Sequence, residues 1–325
     1  MRKETAFYLL GFLFVCLMAL GCGRTDGASP ESGGSSAAGD SDKGSSEPVT
    51  VGYQGMLNPW KAKIKSGAFI QATGREIVWR KFNSGSEVIT ALASGDVQLA
   101  VAGSSPIATA VSRGVDVSLI WILEAIRENE ALVVHKGSGI TEVSGLAGKT
   151  VGVPFASTTH YHMLIALEQA GLTTKEVKLL NLQPDAMLAA WSQKRIDAAF
   201  VWSPTLNTLK QSGEVILTSG QLADQGRPTF DGLVVANGFA KANAPFLSDF
   251  VRVIADIDAD YRTHTGAWTV DSDKVKAIAS LTGAKPEEIP GVLAQYHFPS
   301  LEEQASATWL GGGAAKALLD TSRFL

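Results

Sequence analysis

The apolar residues of this 325-residue chain follow three patterns in succession. Residues 7–20 form one continuous, mostly apolar run, whereas residues 23–47 contain no large apolar side chain. From residue 48 onward, short β-rich apolar runs alternate with segments whose apolar residues recur at helical spacing. The pattern therefore predicts a short apolar N-terminal segment, a polar linker and a large folded region.

Strand-like and helix-like segments alternate through much of the folded region. Such alternation is typical of an α/β protein whose lobes are mainly parallel sheets flanked by helices. The predicted strands are 49–53, 77–82, 97–102, 117–123, 131–134, 150–153, 177–182, 196–202 and 233–235. The predicted helices are 87–93, 161–170, 185–193, 244–261, 272–280 and 301–319.

The second part of this alternation repeats the layout of the first. In each part a strand and a helix lead to another strand and a Ser-Pro pair, at Ser105 and at Ser203. We interpret the repeat as two lobes, residues 48–133 with 232–325 and residues 134–231, although two unrelated α/β segments would also give it. Ligands of open α/β sheets bind beyond the carboxyl ends of the strands, so a site is expected in the loops at a cleft between the lobes.

The N-terminal segment has the features of an export signal. Two basic residues precede the apolar run, which at about 14 residues is short for a membrane-spanning helix. We predict a signal peptide over residues 1–21, with an uncleaved anchor helix as the alternative, and a flexible tether over residues 22–47. Cys16 lies in the signal and Cys22 follows it, so the exported protein would contain no disulfide.

Composition narrows the function further. A formal net charge of -4 and the absence of a basic stripe argue against nucleic-acid binding. His160 and His162 have no cysteine or carboxylate at metal-ligand spacing, and the chain has neither a Gly-rich phosphate fingerprint nor a G-x-S-x-G motif. The sequence thus predicts a protein that is not an enzyme and has no metal or cofactor.

The strongest physical signal is a run of hydroxyl residues, Ser157, Thr158 and Thr159, just before a predicted helix. The first N–H groups of a helix are unpaired and carry partial positive charge, so they bind anions, and hydroxyls add further donors. Ordinary N-capping explains one of these hydroxyls equally well, and residues alone leave the two interpretations even. Ser104 and Ser105 precede Pro106 in a similar, weaker pattern.

Two carboxylates and one indole are candidates for the opposite end of a ligand. Glu130 and Asp231 each lie beside a predicted crossing between the lobes, where a carboxylate can hold a ligand ammonium. Trp202, at the end of a strand, can add a cation–π contact. Solvated carboxylates at strand ends, and an indole that only packs the lobes, are the alternatives.

Nine short motifs lie in order along residues 48–300. They are WRKFNSG at 79–85, ALASGD at 91–96, GSSP at 103–106, EALVV at 130–134, VPFASTTHY at 153–161, NLQP at 181–184, AW at 190–191, VWSP at 201–204 and PTFD at 228–231. Together they resemble the motifs of the periplasmic taurine-binding proteins of ABC importers. Cys22 similarly resembles the lipidated cysteine of a bacterial lipobox, although Ala19 and Leu20 depart from its preferred residues.

This resemblance implies a two-lobed type II periplasmic-binding-protein fold that captures its ligand without catalysis. The hydroxyls of 157–159 would hold a sulfonate with help from Ser104 and Ser105, and Asp231 and Glu130 would receive an amine beside Trp202. Tyr53 and Gln54 would line the first-lobe side of the pocket. The implied ligand-binding residues are Tyr53, Gln54, Ser104, Ser105, Glu130, Ser157, Thr158, Thr159, His160, Trp202 and Asp231.

The resemblance also implies a location and partners. We expect a periplasmic or extracytoplasmic monomer, anchored to the membrane by lipid on Cys22, that delivers taurine to an ABC permease. Hinges are expected near residues 131–134 and 231–234. Binding of other alkanesulfonates or sulfate esters, and a sensory ligand-binding module, are the alternatives.

Overall fold

The computed structural model describes residues 47–325 of the chain. This part of the chain contains ten strands, which form two five-stranded sheets. The strands are β1 (Val49–Tyr53), β2 (Ile77–Lys81), β3 (Leu99–Gly103), β4 (Val117–Ile126), β5 (Glu130–His135), β6 (Thr150–Val153), β7 (Lys178–Asn181), β8 (Ala198–Trp202), β9 (Gly213–Thr218) and β10 (Thr229–Ala236).

Helices cover the faces of the sheets and make up most of the C-terminal region. Short 3-10 helices lie at Pro59–Lys63, Val143–Leu146, Thr265–Ala267 and Pro286–Glu288. The α-helices of the described region are α1 (Ala68–Thr73), α2 (Gly85–Ala93), α3 (Ser104–Ser112), α4 (Thr158–Gln169), α5 (Pro184–Ser192), α6 (Thr205–Lys210), α7 (Ser219–Asp224), α8 (Asn237–Ala242), α9 (Ala244–Thr263), α10 (Asp273–Thr282), α11 (Ile289–Leu293), α12 (Leu301–Ala305) and α13 (Gly313–Phe324).

The two sheets have the same topology. The first has the order β2-β1-β3-β10-β4 and the second the order β7-β6-β8-β5-β9. In each, the first three strands are mutually parallel and the fourth is antiparallel to both neighbours, so four of five strands run the same way. The predicted α/β architecture of two mainly parallel sheets flanked by helices is confirmed.

The antiparallel strand of each sheet, β5 or β10, is the first strand after the chain crosses over from the other lobe. β5 follows β4 of the first sheet but pairs with β8 and β9 of the second. β10 returns from the second sheet and pairs with β3 and β4 of the first. The chain therefore crosses between the sheets at residues 127–129 and 225–228, a few residues before each expected lobe boundary.

The expected hinge segments lie within these same two strands. Residues 131–134 and 231–234 are hydrogen-bonded to a neighbouring strand on both sides. A strand paired on both sides cannot change its dihedral angles without breaking its ladders. Any hinge motion is therefore expected in the two crossings, residues 127–129 and 225–228, which belong to no strand.

Two expectations about individual elements were wrong. The single helix predicted at 301–319 is two helices, α12 and α13, because Gly311 and Gly312 lie between them. A β-carbon on Gly311 would be 2.5 Å from the Ser306 carbonyl oxygen, and Gly312 adopts a φ of 137°, which glycine alone adopts readily. β9 was not predicted at all, although its sequence GEVILT is mostly apolar; it is an edge strand, with Glu214 and Val215 exposed.

The C-terminal helix contacts both lobes. α13 packs against α3 of the first lobe. At its end, Phe324 makes an edge-on contact with Tyr161 of α4, with ring centroids 5.4 Å apart. The C-terminal residues were assigned to the first lobe, and the Phe324–Tyr161 contact adds a contact with the second.

Each sheet has an apolar core on its own faces. In the second lobe Leu132, Val134, Val151 and Phe200 are fully buried in one cluster. Because both faces of a parallel sheet are covered, the strands are continuously apolar rather than alternating. Burying such side chains stabilises each lobe by about 1.5–3 kcal/mol per residue. Across residues 47–325 we find no helix with the length and apolar character needed to cross a membrane.

Candidate functional site

A small, partly open pocket lies where the carboxyl ends of the parallel strands of both lobes meet. This is the edge at which α/β sheets bind ligands. Both lobes contribute, because the pocket is bounded by the ends of β1, β3 and β8 and by the two crossing strands. The lining residues are Gln54, Met56, Gly85, Gly103, Pro106, Asn129, Glu130, Ser157, Thr158, Trp202 and Asp231.

Two helix N-termini, one from each lobe, reach this pocket. α3 begins directly after Gly103 and α4 directly after Ser157. A β-carbon on Gly103 would lie 2.8 Å from Cγ2 of Thr158, across the cleft, and 3.4 Å from Oδ1 of Asp231. Only glycine allows this close approach, which brings the unpaired N–H groups of both helices to one place.

The hydroxyl run before α4 has divided roles. Ser157 is the N-cap, since its Oγ accepts the N–H of His160 at 3.1 Å. The same Oγ lies 2.6 Å from the Pro154 carbonyl oxygen and 2.8 Å from Oγ1 of the fully buried Thr159. Ser157 and Thr158 line the pocket, whereas Thr159 supports them from behind. The two interpretations of the sequence are thus compatible, because the capping residue also faces the pocket.

Glu130 is held by hydroxyls at the pocket wall. Oγ1 of Thr158 donates to its Oε1 at 2.6 Å, and Oγ of Ser219 lies 3.1 Å from its Oε2. Ser219 also lies 2.8 Å from Nδ1 of His162, whose Nε2 is 2.9 Å from the carbonyl oxygen of Arg227. A carbonyl can only accept, so Nε2 carries the histidine proton and Nδ1 accepts from Ser219.

This arrangement fixes a proton on Glu130. Ser219 has one hydroxyl proton, which it gives to His162, so its contact with Glu130 requires the carboxyl to donate. Burial raises the pKa of Glu130 to about 8, with the hydrogen bond from Thr158 as the largest opposing effect. Burial lowers the pKa of His162 to about 4. At neutral pH, Glu130 is therefore mainly a neutral acid beside a neutral imidazole.

Asp231 is the second carboxyl of the pocket. In the first sheet it lies opposite Gly103 on one side and Glu124 on the other. Burial raises the pKa of Asp231 to about 6, while a hydrogen bond with Glu124 and the charge of Lys61 lower it. Burial, and then the charge of Asp231, raise the pKa of Glu124 well above its ordinary value. Asp231 is therefore the ionised member of this pair at neutral pH.

Several predicted site residues lie outside the pocket lining. The Tyr53 ring packs edge-on against Trp60 and Trp79, behind the pocket. His160 stacks on Phe155 at 4.6 Å and lines a different cavity, together with Arg113.

Two more predicted residues, Ser104 and Ser105, are fully buried in the first turn of α3. Oγ of Ser104 accepts the N–H of Phe230 at 3.4 Å, and Oγ of Ser105 has no partner in the described part of the chain. The structure therefore brings together Gln54, Glu130, Ser157, Thr158, Trp202 and Asp231 of the predicted set.

Other residues of the site were missed from sequence. Asn129 lines the pocket from the first crossing, and Lys61, Asn58 and Glu124 form a buried polar group behind Asp231. Glu124 interrupts an otherwise apolar strand, β4, and Lys61 follows the buried Trp60. A charged residue within an apolar run is the signal that identifies such positions, because burying a charge alone is unfavourable.

No group of three or more His, Cys, Asp or Glu side chains suited to a metal ion is found in residues 47–325.

Comparison with known proteins agrees with this architecture. Residues 73–257 match the family described as NMT1/THI5 like. The chain is 36% identical over 277 residues to the taurine-binding periplasmic protein of Escherichia coli strain K12, covering 85% of each chain. It is 28% identical over 210 residues to a putative aliphatic sulfonates-binding protein of Bacillus subtilis strain 168, covering 63% of this chain and 62% of the relative.

Solved structures with the same fold include binding proteins and an enzyme. The periplasmic aliphatic sulphonate binding protein of Escherichia coli superposes with a TM-score of 0.68 at 21% identity, covering 86% of both chains. A desulfurization enzyme superposes with a TM-score of 0.60 at 18% identity, covering 86% of this chain and 91% of the enzyme. At such identities the likeness establishes the fold, and function depends on the site. By its family match and its 36% identical relative, this chain belongs to the NMT1/THI5-like family, together with the taurine-binding periplasmic protein.

Proposed function

We propose that this protein is the extracytoplasmic solute-binding component of an ABC importer, which captures taurine between its two lobes and delivers it to a permease. The observation that carries the proposal is the position of Gly103, across which Thr158 and Asp231 face one another at close range. A helix N-terminus with hydroxyls thus lies a few ångströms from a buried, ionised carboxylate. This spacing suits a short ligand that is an anion at one end and a cation at the other.

Each end of taurine has a matching part of the pocket. The sulfonate accepts hydrogen bonds from the N–H groups at the starts of α3 and α4, without a cationic side chain. The ammonium donates to Asp231, with Trp202 as a wall of the pocket. Glu130, beside Thr158, becomes a second acceptor for the ammonium once it loses its proton.

Ligand that contacts both lobes favours the closed arrangement. The closed form, with both lobes in place, is the form that would dock on the permease. We propose that the protein acts by binding alone, because Ser219, the hydroxyl bonded to a histidine, is fully buried and its histidine is engaged with a carbonyl. A nucleophile must reach a substrate, and this hydroxyl does not.

A protein for larger sulfonates is the second candidate. Beyond Trp202 the cleft contains a further cavity of about 80 Å³, bounded by Lys81 and Phe82 of the first lobe and Asp185 and Thr205 of the second. A longer sulfonate, or a sulfate ester, would extend its substituent into this cavity.

Calorimetric titration of the purified protein with taurine, ethanesulfonate, sulfate and glycine betaine separates these candidates. Taurine is expected to bind most tightly, because it alone satisfies both ends of the pocket. Ethanesulfonate lacks the ammonium and leaves the buried Asp231 without a partner, which costs about 1–3 kcal/mol. Equal affinity for taurine and ethanesulfonate would contradict the proposal, and tighter binding of a bulky sulfonate would favour the second candidate.

We also propose that the chain is exported as a monomer and anchored by lipid on Cys22, a residue outside the described part of the chain. The signal-like residues 1–21 and the resemblance to a lipobox support this. Mass spectrometry of the mature N-terminus tests it: a diacylglyceryl thioether on Cys22 is expected, and membrane association should be lost in Cys22→Ala. An unmodified Cys22 in a protein that remains soluble would exclude the anchor.

A further inference from the structure

Lys61 is a lysine buried directly behind the pocket. Its side chain is 0 % exposed, its ammonium donates to Oδ1 of Asn58, and Nζ lies 4.6 Å from the centroid of the Trp60 ring. Nδ2 of Asn58 in turn donates to Oε1 of Glu124. Glu124 lies opposite Asp231 in the β4–β10 ladder, so a continuous polar chain joins the buried ammonium to the pocket carboxylate.

Packing alone does not account for a lysine at this position. An ammonium has three donors, and in the described part of the chain they meet one acceptor, the amide oxygen of Asn58. Removing a charged group from water is unfavourable, and a buried ion pair is seldom more stabilising than apolar side chains of the same size. Lys61 is therefore better explained by its charge than by its contribution to stability.

The groups around Asp231 define where that charge acts. Those that face Asp231 are Lys61 on the 3-10 helix, Glu124 on β4, Glu130 on β5 and Tyr296 after α11. Two more charged groups influence members of this set. Asp258 of α9 raises the pKa of Glu124, and Lys81 of β2 lowers the pKa of Lys61.

Protonation leaves one pair of opposite charges among these groups. Burial raises the pKa of Glu124 and of Asp258 well above their ordinary values. Oε2 of Glu124 has no donor in the described part of the chain, so a proton on this oxygen, given to Asp231, is what satisfies it. Burial lowers the pKa of Lys61 to about 7, against the raising effect of Glu124 and Asp231. With Glu124, Glu130 and Asp258 neutral, Asp231 is therefore the anion below this pH, and Lys61 is the buried cation whose charge acts on it.

We propose that Lys61 is the counter-charge that keeps Asp231 ionised, and that it thereby gives the pocket its preference for an aminosulfonate over a plain sulfonate. This inference rests on the proposed function. Taurine is a zwitterion and adds no net charge, so the Lys61–Asp231 pair remains balanced when it binds. Ethanesulfonate adds one negative charge, which favours a protonated Asp231. Without Lys61, Asp231 would keep its proton and the ammonium would lose its ionised partner.

The test compares Lys61→Met with Lys65→Met in the purified full-length chain. Both substitutions remove one positive charge, but Lys65 is exposed and lies four residues further along. The carboxyl ¹³C resonance of Asp231, assigned with Asp231→Asn, is followed against pH in each protein without ligand. Taurine and ethanesulfonate affinities are then measured by calorimetry at pH 6.5, where Lys61 keeps most of its charge.

In Lys61→Met, the titration midpoint of Asp231 is expected to rise by at least about one pH unit, as for the loss of an opposite charge nearby. The ratio of taurine to ethanesulfonate affinity is expected to fall about tenfold, and a general effect on the sulfonate cancels in this ratio. Lys65→Met should change neither quantity. An unchanged midpoint or an unchanged ratio in folded Lys61→Met would overturn the inference.

Two further outcomes remain decisive. If Lys61→Met does not fold, the wild-type titration decides: a midpoint near 6 supports the inference, and one above about 7.5 overturns it. If the wild type binds no taurine, the proposed function fails, whereas the midpoints still show whether Lys61 keeps Asp231 ionised.

Discussion

Thr158 and Asp231 lie on either side of Gly103, close enough that a β-carbon on this glycine would contact both. One belongs to a helix N-terminus that favours anions, and the other is a carboxylate that remains ionised at neutral pH. At the scale of single residues, the pocket therefore has an end that binds anions and an end that binds cations, a few ångströms apart. Recognition of the cationic end depends on Asp231, because Glu130 carries a proton at neutral pH.

Asp231→Asn is expected to weaken taurine binding by about 1.5–3 kcal/mol, roughly 10- to 150-fold, because a charge-assisted hydrogen bond becomes a neutral one. Ethanesulfonate should bind as well as before or better, since it has no ammonium and the asparagine does not repel it. Calorimetric titration of both ligands measures the difference. Asp185→Asn is the matched control, because Asp185 lies in the neighbouring cavity, and equal losses for both ligands in Asp231→Asn would refute the role.

At the scale of elements, α3 and α4 form the anion-binding end by approaching each other across the cleft. Neither helix N-terminus has an acidic residue in its first turn, so the partial positive charge of both is available to a ligand. Gly103 and the capping Ser157 place the two ends, and the approach is close only because position 103 has no side chain.

Gly103→Ala is therefore expected to weaken taurine and ethanesulfonate alike. The new methyl would stand 2.8 Å from Cγ2 of Thr158, and such overpacking costs about 1–3 kcal/mol in the closed form. Gly238→Ala is a suitable control, because a β-carbon there meets nothing within 4 Å. Calorimetry with both ligands provides the measurement, and a loss confined to taurine would show that the two helix ends do not bind the sulfonate.

At the scale of the whole molecule, two sheets of the same topology exchange a strand at each crossing. β5 and β10 carry Glu130 and Asp231 into opposite lobes, so both carboxyls reach one pocket although each is anchored in a separate sheet. The protonation of the pocket is consequently a property of the assembled lobes. Burial between the lobes is what raises the pKa of each carboxyl, Glu130 to about 8 and Asp231 to about 6.

Taurine affinity is expected to increase as the pH rises from 5 to 8. The ammonium prefers ionised carboxyls, so binding is lost as the pH falls through about 6 and Asp231 takes up a proton, by up to about tenfold per pH unit. Ionisation of Glu130 towards pH 8 acts in the same direction. The loss of a proton from Lys61 through about pH 7 opposes part of this increase, because Asp231 then loses its counter-charge.

Ethanesulfonate is expected to show the opposite dependence, because each ionised carboxyl repels its sulfonate. Calorimetry of both ligands across this pH range, in buffers of different ionisation enthalpy, also reports the protons released. Parallel pH profiles for the two ligands would contradict the assignment of the carboxyls to the ammonium.

The sequence predicted much of the fold and part of the site. Continuous apolar strands, helix caps and the position of loops after strands depend on neighbouring residues, so the α/β alternation and the pocket residues Ser157, Glu130, Trp202 and Asp231 were identified from local pattern and resemblance. Tyr53 and His160 were misplaced because a loop position does not determine which way a side chain faces. Tyr53 instead packs among indoles, and His160 stacks on Phe155 at another cavity.

By itself the sequence determined the succession of strands and helices, the polar segment before residue 48 and the hydroxyl run at the start of α4. Only the tertiary structure decided which charges share a buried space. The polar chain behind the pocket joins Asn58 to Glu124, 66 residues away, and through the β4–β10 ladder to Asp231. Proton affinities of buried groups depend on distance and desolvation, which arise when distant segments pack together, so no local pattern contains them.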